Sequence, residues 1–220
     1  MAKIIQLLGT RLILLPERAL LLPQYRTLIV ADWHLGKAAH FRKAGIFMPA
    51  LPVDSDAMRL QSLLKNHDVE TLVFLGDLFH SDLNSEWLSF ERLRTANPST
   101  RFILTRGNHD ILSDNLLDHI AVEVMPSYFI APHIRCTHHP VGIASAGELN
   151  IAGHIHPGCV IPAAGKQTHR LPCFYYSEQT LLLPAFGALT GLHVMAPTRD
   201  ARIYPIAGNN VWEWKKDKTI

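Results

Sequence analysis

The sequence predicts an α/β fold in which strands stack as two sheets with helices outside. Three observations carry this. Short apolar runs bounded by Gly, Pro, Asn and Asp recur from end to end, as strands do. Two amphipathic helical stretches lie in the first half. Helical periodicity fades after about Asn115, leaving a second half made mainly of strands.

In order, "KIIQLL", "RLILL", "ALLL" and "TLIVA" (Thr27 to Ala31) read as short strands, with a hairpin turn at Gly9 and Thr10. "VDSDAMRLQSLLKNH" reads as a helix. Asp54 or Ser55 can cap it, and Ala57, Leu60, Leu63 and Leu64 recur at helical spacing. "TLVFLGD" is a buried strand, followed by a helix near "NSEWLSFERLRTAN". "RFILTRGNHD" is a strand running into a polar loop. Then "YFIAP", "IRCTHHP", "LNIAGHIHPG", "LPCFYYS", "QTLLLP" and "ARIYPI" read as strands joined by loops. No repeat, low-complexity tract or composition shift marks a linker, so residues 1–220 are expected to form one domain.

Composition narrows the function. Apolar residues make up 48%, as in a globular protein, and the formal net charge is +2. That balance does not announce a nucleic-acid coat, though a local patch could still serve. Cys136, Cys159 and Cys173 are odd in number and lack a CxxC pair, so neither a disulfide framework nor a cysteine zinc site is indicated. The apolar N-terminus is broken by Gly9, Arg11, Pro16, Glu17 and Arg18, without a cleavage site or a membrane-length run. The expectation is a cytoplasmic protein with reduced thiols and no membrane span.

The unusual count is 13 histidines. Ligand-type residues follow strand ends with regularity: Asp32 and His34, Asp77, then Asn108, His109 and Asp110, then His138 and His139, then His154 and His156. Loops beyond the carboxyl ends of strands are where layered α/β folds build sites. "GHIHPG" (Gly153 to Gly158) poses the choice sharply. A turn needs its Gly and Pro but is indifferent to His, whereas a metal site needs imidazoles brought to one point. Asp, Asn and His form a mixed O/N set suited to Mn, Fe, Zn or Ni. Two nearby cations repel, so an anion must lie between them. A carboxylate such as Asp77 can offer one oxygen to each.

The order D-x-H, G-D, G-N-H-D, H, G-H-x-H resembles the calcineurin-like metallophosphoesterases. Here the pieces are Asp32-Trp33-His34, Gly76-Asp77, Gly107 to Asp110, His138, and Gly153 to His156. "ADWHLGKAAHFRKAGI", "GDLFHS" and "RGNHD" look like the DNA ligase-associated branch, a group of DNA damage response endonucleases. The resemblance implies a four-layer αββα fold of two stacked mixed sheets flanked by helices. It implies two divalent metal ions, Mn foremost, with Fe, Zn or Ni as alternatives. Asp32, His34 and His156 would hold one metal and Asn108, His138 and His154 the other, with Asp77 bridging. A hydroxide between the metals would be the nucleophile and His109 the general acid, its imidazole oriented by Asp110. His139 follows the loop histidine where relatives often have Gly, so it stands as an alternative ligand to His138.

Each piece alone has a plainer reading as a strand cap, a turn or a surface histidine. Together they require five coincidences in a fixed order. His40, His67, His119, His133, His169 and His193 lack motif context and read as surface or structural. His80 could touch substrate. Lys37, Arg42 and Lys43 could bind phosphate or form a solvated basic turn, and Arg106 could approach the site or pair with an acid. Trp33 reads as core packing and Cys136 as a small buried residue.

The expected activity is a binuclear phosphodiesterase, a nuclease acting on DNA in repair, with repair proteins including a DNA ligase as partners. A phosphodiesterase or phosphatase for nucleotides or other small molecules is one alternative. A non-catalytic scaffold with the same fold is another, disfavoured because His109 and every expected ligand are present.

Overall fold

The computed structural model describes residues 1–37, 45, 55–79, 85–110, 112–142, 146–163, 165, 167–196 and 198–215. Among them two mixed sheets stack face to face. The first has seven strands in chain order: β1 (Lys3–Leu7), β2 (Thr10–Leu15), β3 (Ala19–Leu22), β4 (Thr27–Val30), β5 (Thr71–Phe74), β6 (Arg101–Thr105) and β7 (Val122–Met125). β1 to β4 pair antiparallel, and β4 to β7 pair parallel. Parallel neighbours need crossovers, supplied by α1 (Ser55–Asn66), α2 (Ser85–Ala96) and α3 (Asp114–His119).

The second sheet has nine strands. β8 (Tyr128–Ala131), β9 (Ile134–Thr137), β10 (Leu149–Ala152), β13 (Thr180–Leu182), β12 (Thr168–Ser177), β11 (Pro157–Pro162) and β14 (His193–Val194) lie in that order. β15 (Arg202–Ala207) pairs with β12, and β16 (Asn210–Val211) pairs with β15.

Strand alternation explains how the layers close. In the first sheet Leu28, Val30, Leu72, Phe74, Phe102 and Leu104 turn to the helices, where Leu60, Phe90 and Leu117 meet them. Their neighbours Ile29, Val73 and Ile103 turn the other way and meet Ile134, Leu149, Ile151, Phe174 and Leu181 of the second sheet. Being buried on both faces, these strands read as continuous apolar runs. The described helices all pack on the first sheet. The outer face of the second is covered, among the described residues, by Ile155, Met195 and Trp214. No described helix is long and apolar enough to cross a membrane.

Several boundaries differ from the sequence reading. The first turn is Leu8 and Gly9, with φ of 45° and 78°, so that Thr10 already belongs to β2. Two positive φ values match the twist that tight hairpins need, and Leu8 accepts one despite its side chain. "LNIAGHIHPG" is not one strand: β10 stops at Ala152 and β11 starts at Pro157. α3, β7 and the two-residue strands β14 and β16 have no counterpart in the sequence reading. Asp54, a proposed cap, lies outside the described residues.

Candidate metal centre

β4, β5 and β6 end side by side, with Val30 opposite Phe74 and Phe74 opposite Leu104. In the facing sheet β9 and β10 end together, with Thr137 opposite Ala152. The residues just beyond these five ends therefore converge, as the carboxyl edge of such sheets favours. Main-chain bonds lock the loops together: Asp32 N–H donates to Gly76 O at 3.2 Å, His34 N–H to Asp77 O at 2.9 Å, and Gly153 N–H to His138 O at 3.1 Å.

Two clusters share this space. In one, His34 Nε2 lies 3.4 Å from His156 Nε2, and His156 Nε2 lies 3.5 Å from Asp32 Oδ1. In the other, His138 Nε2 lies 3.1 Å from both Asn108 Oδ1 and His154 Nδ1. Asp77 stands between them, with Oδ2 3.9 Å from His34 Nε2 and Oδ1 3.5 Å from His138 Nε2. All seven residues expected from the sequence are thus brought together. Asp32 also approaches His138, at 3.8 Å, so the halves touch at a second point.

The donor set fits cations. Leu75 O lies 2.8 Å from His138 Nδ1 and can only accept, so Nδ1 carries the proton and Nε2 presents its lone pair. In the neutral ring Nε2 and the Asn108 carbonyl oxygen are two acceptors side by side, which a cation between them would satisfy. Burial lowers the pKa of His154, and the neighbouring His139 and His138 add to the effect. Both effects favour the neutral form, the one that binds metal, with Asp77 and Asp32 opposing. Of the two adjacent histidines, His138 is buried at the junction, while His139 is exposed. His139 still lies within one cluster with His138 and His154, its ring 4.1 Å from that of His154.

The backbone is strained where the ligands sit. Asp32, His34, Asp77, His154 and His156 have φ between 47° and 68°. Such conformations cost roughly 1–3 kcal/mol each and persist only where the surroundings impose them. Asp and His tolerate them better than most residues. Glycines give the room. A Cβ on Gly107 would fall 2.4 Å from both Asp77 N and Asp77 Oδ1, and one on Gly153 would fall 2.8 Å from Asp32 Oδ2. At Gly76, φ is 72° and a Cβ would lie 2.3 Å from His138 Nδ1. Gly76→Ala should therefore push His138 off the Leu75 carbonyl and destabilise the fold by about 1–3 kcal/mol. Urea unfolding of the metal-free protein measures this, and an unchanged midpoint would refute it.

The Asp110 carboxylate, which the resemblance assigns to orienting the His109 imidazole, also holds main chain. Oδ1 accepts from Leu78 at 2.8 Å and Phe79 at 3.1 Å, and Oδ2 accepts from Gly107 at 2.8 Å. It clamps the loop after β5 to the loop after β6. Burial pushes its carboxyl above the usual range, with those N–H bonds opposing. His109 itself is exposed at the mouth, its N–H donating to Asp77 Oδ1 at 2.9 Å and its ring 5.6 Å from that of His34.

A second support was not legible in the sequence. Arg18 donates to the carbonyls of Ala185 and Gly187, and Arg59 to that of Phe186. Arg59 also lies over the Phe186 ring at 4.1 Å, and that ring meets Trp33 edge-on. The same loop returns bonds from Phe186 N–H to Ala31 O at 2.7 Å and from Gly187 N–H to Asp32 O at 3.3 Å. The two arginines thus brace the turn that carries Asp32 and His34. Their only trace in the sequence is charge, at positions remote from the motifs.

The remaining candidates resolve simply. Trp33 is core, packed on Phe74, Phe90 and Phe186. Arg106 pairs with Asp114 and holds the carbonyls of Asp110 and Leu112. Cys136 is fully buried, its thiol pKa raised by burial. His40, Arg42, Lys43 and His80 lie outside the described residues.

Residues 25–155 match the family model for calcineurin-like phosphoesterases. Among solved structures, the chain is similar to the Pseudomonas putida nuclease MPE, with 31% identity and a TM-score of 0.79 over 97% of this chain and 100% of that one. It is also similar to a protein of unknown function from Aquifex aeolicus, at 21% identity and a TM-score of 0.41 over 59% and 78% of the two chains. A conserved uncharacterised protein from Streptococcus pneumoniae TIGR4, described as a predicted phosphoesterase, gives 12% identity and a TM-score of 0.32 over 81% and 79%. No curated protein sequence matches.

Proposed function

The chain belongs to the calcineurin-like phosphoesterase family and is a metal-dependent phosphoesterase, and from that premise we propose that it is a binuclear nuclease cleaving DNA phosphodiesters. The observation that carries the binuclear reading is Asp77, one oxygen turned to His34 and the other to His138. Asp32, His34 and His156 would hold one divalent cation and Asn108, His138 and His154 the other, with Asp77 shared. When bound, such cations supply Lewis acidity and an activated water at neutral pH.

The protein's own groups do the rest. The carboxylates of Asp32 and Asp77 set the negative charge that draws cations in. Main-chain N–H groups of His154 and His109 fix those carboxylates in place. His109, at the exposed mouth, delivers a proton to the departing oxygen. Lys37 is half-buried, with burial lowering its ammonium pKa and Asp77 opposing that shift, and we assign it to contact a phosphate of the substrate.

DNA is preferred over small diesters on two grounds. The similar Pseudomonas putida structure is that of a nuclease. The blocks around Asp32 and Asp77 resemble the ligase-associated branch, which also supports a setting in cytoplasmic DNA repair beside a DNA ligase, with Mn as the metal. The test is a panel on Mn-loaded protein: bis-p-nitrophenyl phosphate, p-nitrophenyl phosphate, cyclic nucleotides, and single- and double-stranded DNA. Diesters should be hydrolysed faster than the monoester, and DNA faster than cyclic nucleotides. Absence of DNA cleavage with Mn, Fe, Zn and Ni would transfer the reading to a small-molecule diester.

A further inference from the structure

We propose that the outer part of the β11–β12 hairpin is a nucleic-acid-binding ribbon, with Arg170 contacting a phosphate that flanks the scissile bond. The assignment rests on the DNA reading above. Its first support is topology. β11 begins at Pro157, the residue after His156, so the ribbon is rooted in the metal centre. β14 joins it there, its His193 N–H donating to His156 O at 3.0 Å. The far half of β12, Thr168 to Pro172, pairs only with β11, whereas Cys173 to Ser177 pair with β13 and β15. The hairpin therefore extends past the body of the sheet.

The second support is charge. The hairpin from Pro157 to Ser177 holds Lys166 and Arg170 and no acid. Glu178 lies at the opposite end of β12 from Arg170, in the turn before β13. No carboxylate occurs between Glu148 and Glu178. Arg26, Arg59, Arg101, Arg106 and Arg202 pair with acids, and Arg18 and Arg94 hold main-chain carbonyls. Arg170 is exposed and makes no ion pair among the described residues.

The third support is orientation. Residues opposite in an antiparallel pair share a face. Cys159, Ile161 and Leu171 pack into the core on the outer side of the second sheet. Arg170, opposite Val160, and Thr168, opposite Pro162, are on the other face of the ribbon and remain open to solvent or partly so. From His156 to Val160, the partner of Arg170, is four residues, roughly 13 Å of strand. That is at most about four nucleotides at the axial rise of a duplex, and fewer along an extended strand. A small diester has no group that reaches so far.

The test compares a labelled single-stranded oligonucleotide with bis-p-nitrophenyl phosphate on Mn-loaded wild type, Arg170→Gln and Arg170→Lys. Loss of one phosphate contact should raise KM for the oligonucleotide about tenfold near 0.1 M salt and lower the slope of its log–log salt dependence by ~1. Arg170→Lys should stay near wild type, and the small diester should show no change in any of the three. If wild type cuts DNA and Arg170→Gln matches it in KM and salt slope, the ribbon is wrong and the DNA reading stands. If wild type cuts the small diester but never DNA, both fall. Equal losses on both substrates would also overturn the ribbon, because the defect would then lie in the centre.

Discussion

Asp77→Asn is expected to strip metal from both halves of the centre at once, taking the content from about two ions per chain to below one. The substitution is nearly isosteric, so its effect isolates charge and ligand type. An amide keeps one carbonyl oxygen but replaces the other with an N–H₂ group that cannot ligate and repels a cation. Asp77 faces His34 with one oxygen and His138 with the other, so whichever way the amide turns, one half loses its shared ligand. Removing a unit charge about 4 Å from a divalent cation forfeits ~8 kcal/mol at the effective dielectric of a protein surface, of which desolvation offsets a part, so affinity should fall at least a thousandfold. Turnover should fall at least as far. His34→Ala is the contrast, since His34 belongs to one cluster and should weaken mainly that one. Metal analysis after Mn reconstitution and dialysis reads both variants. Asp77→Asn retaining a full complement would show that it does not bridge.

The centre was legible because its chemistry is local to strand ends. Asp32, Asp77, Asn108, His138 and His154 each follow an apolar run closely, and parallel pairing of β4, β5 and β6 turns that adjacency in sequence into adjacency in space. What holds the ligands in place was far less legible. Asp110 bonds main-chain groups 31 and 32 residues away, and nothing in "GNHD" says that its carboxylate reaches the backbone of another loop. Arg18 and Arg59 reach a loop 127 to 169 residues distant. Long-range hydrogen bonds have no period. The left-handed backbone at five ligands was hidden for a related reason: the residue type tolerates it, but only the surrounding fold demands it. The same limit governs secondary structure. Buried strands such as "TLIVA" announce themselves by uninterrupted apolarity, whereas α3 spans only six residues and shows less than two turns of pattern.

His109→Ala is expected to keep both metals and lose ~10²–10⁴-fold in turnover on DNA. The two halves of that expectation come from different parts of the residue. Its main-chain N–H donates to Asp77 Oδ1 at 2.9 Å, and alanine retains that bond, so the shared carboxylate stays fixed. Its imidazole is exposed beside His34 rather than buried among the clustered ligand atoms, so its loss opens neither coordination set. What disappears is a proton donor at the mouth. A nucleoside oxygen needs that proton to depart, because its alkoxide is a strong base. p-Nitrophenolate is stable without one, so cleavage of bis-p-nitrophenyl phosphate should fall far less than cleavage of DNA. The leaving-group dependence separates general acid catalysis from substrate binding, which would weaken both reactions alike. Equal losses on the two substrates, with metal content intact, would remove His109 from the acid role and leave it as a phosphate contact.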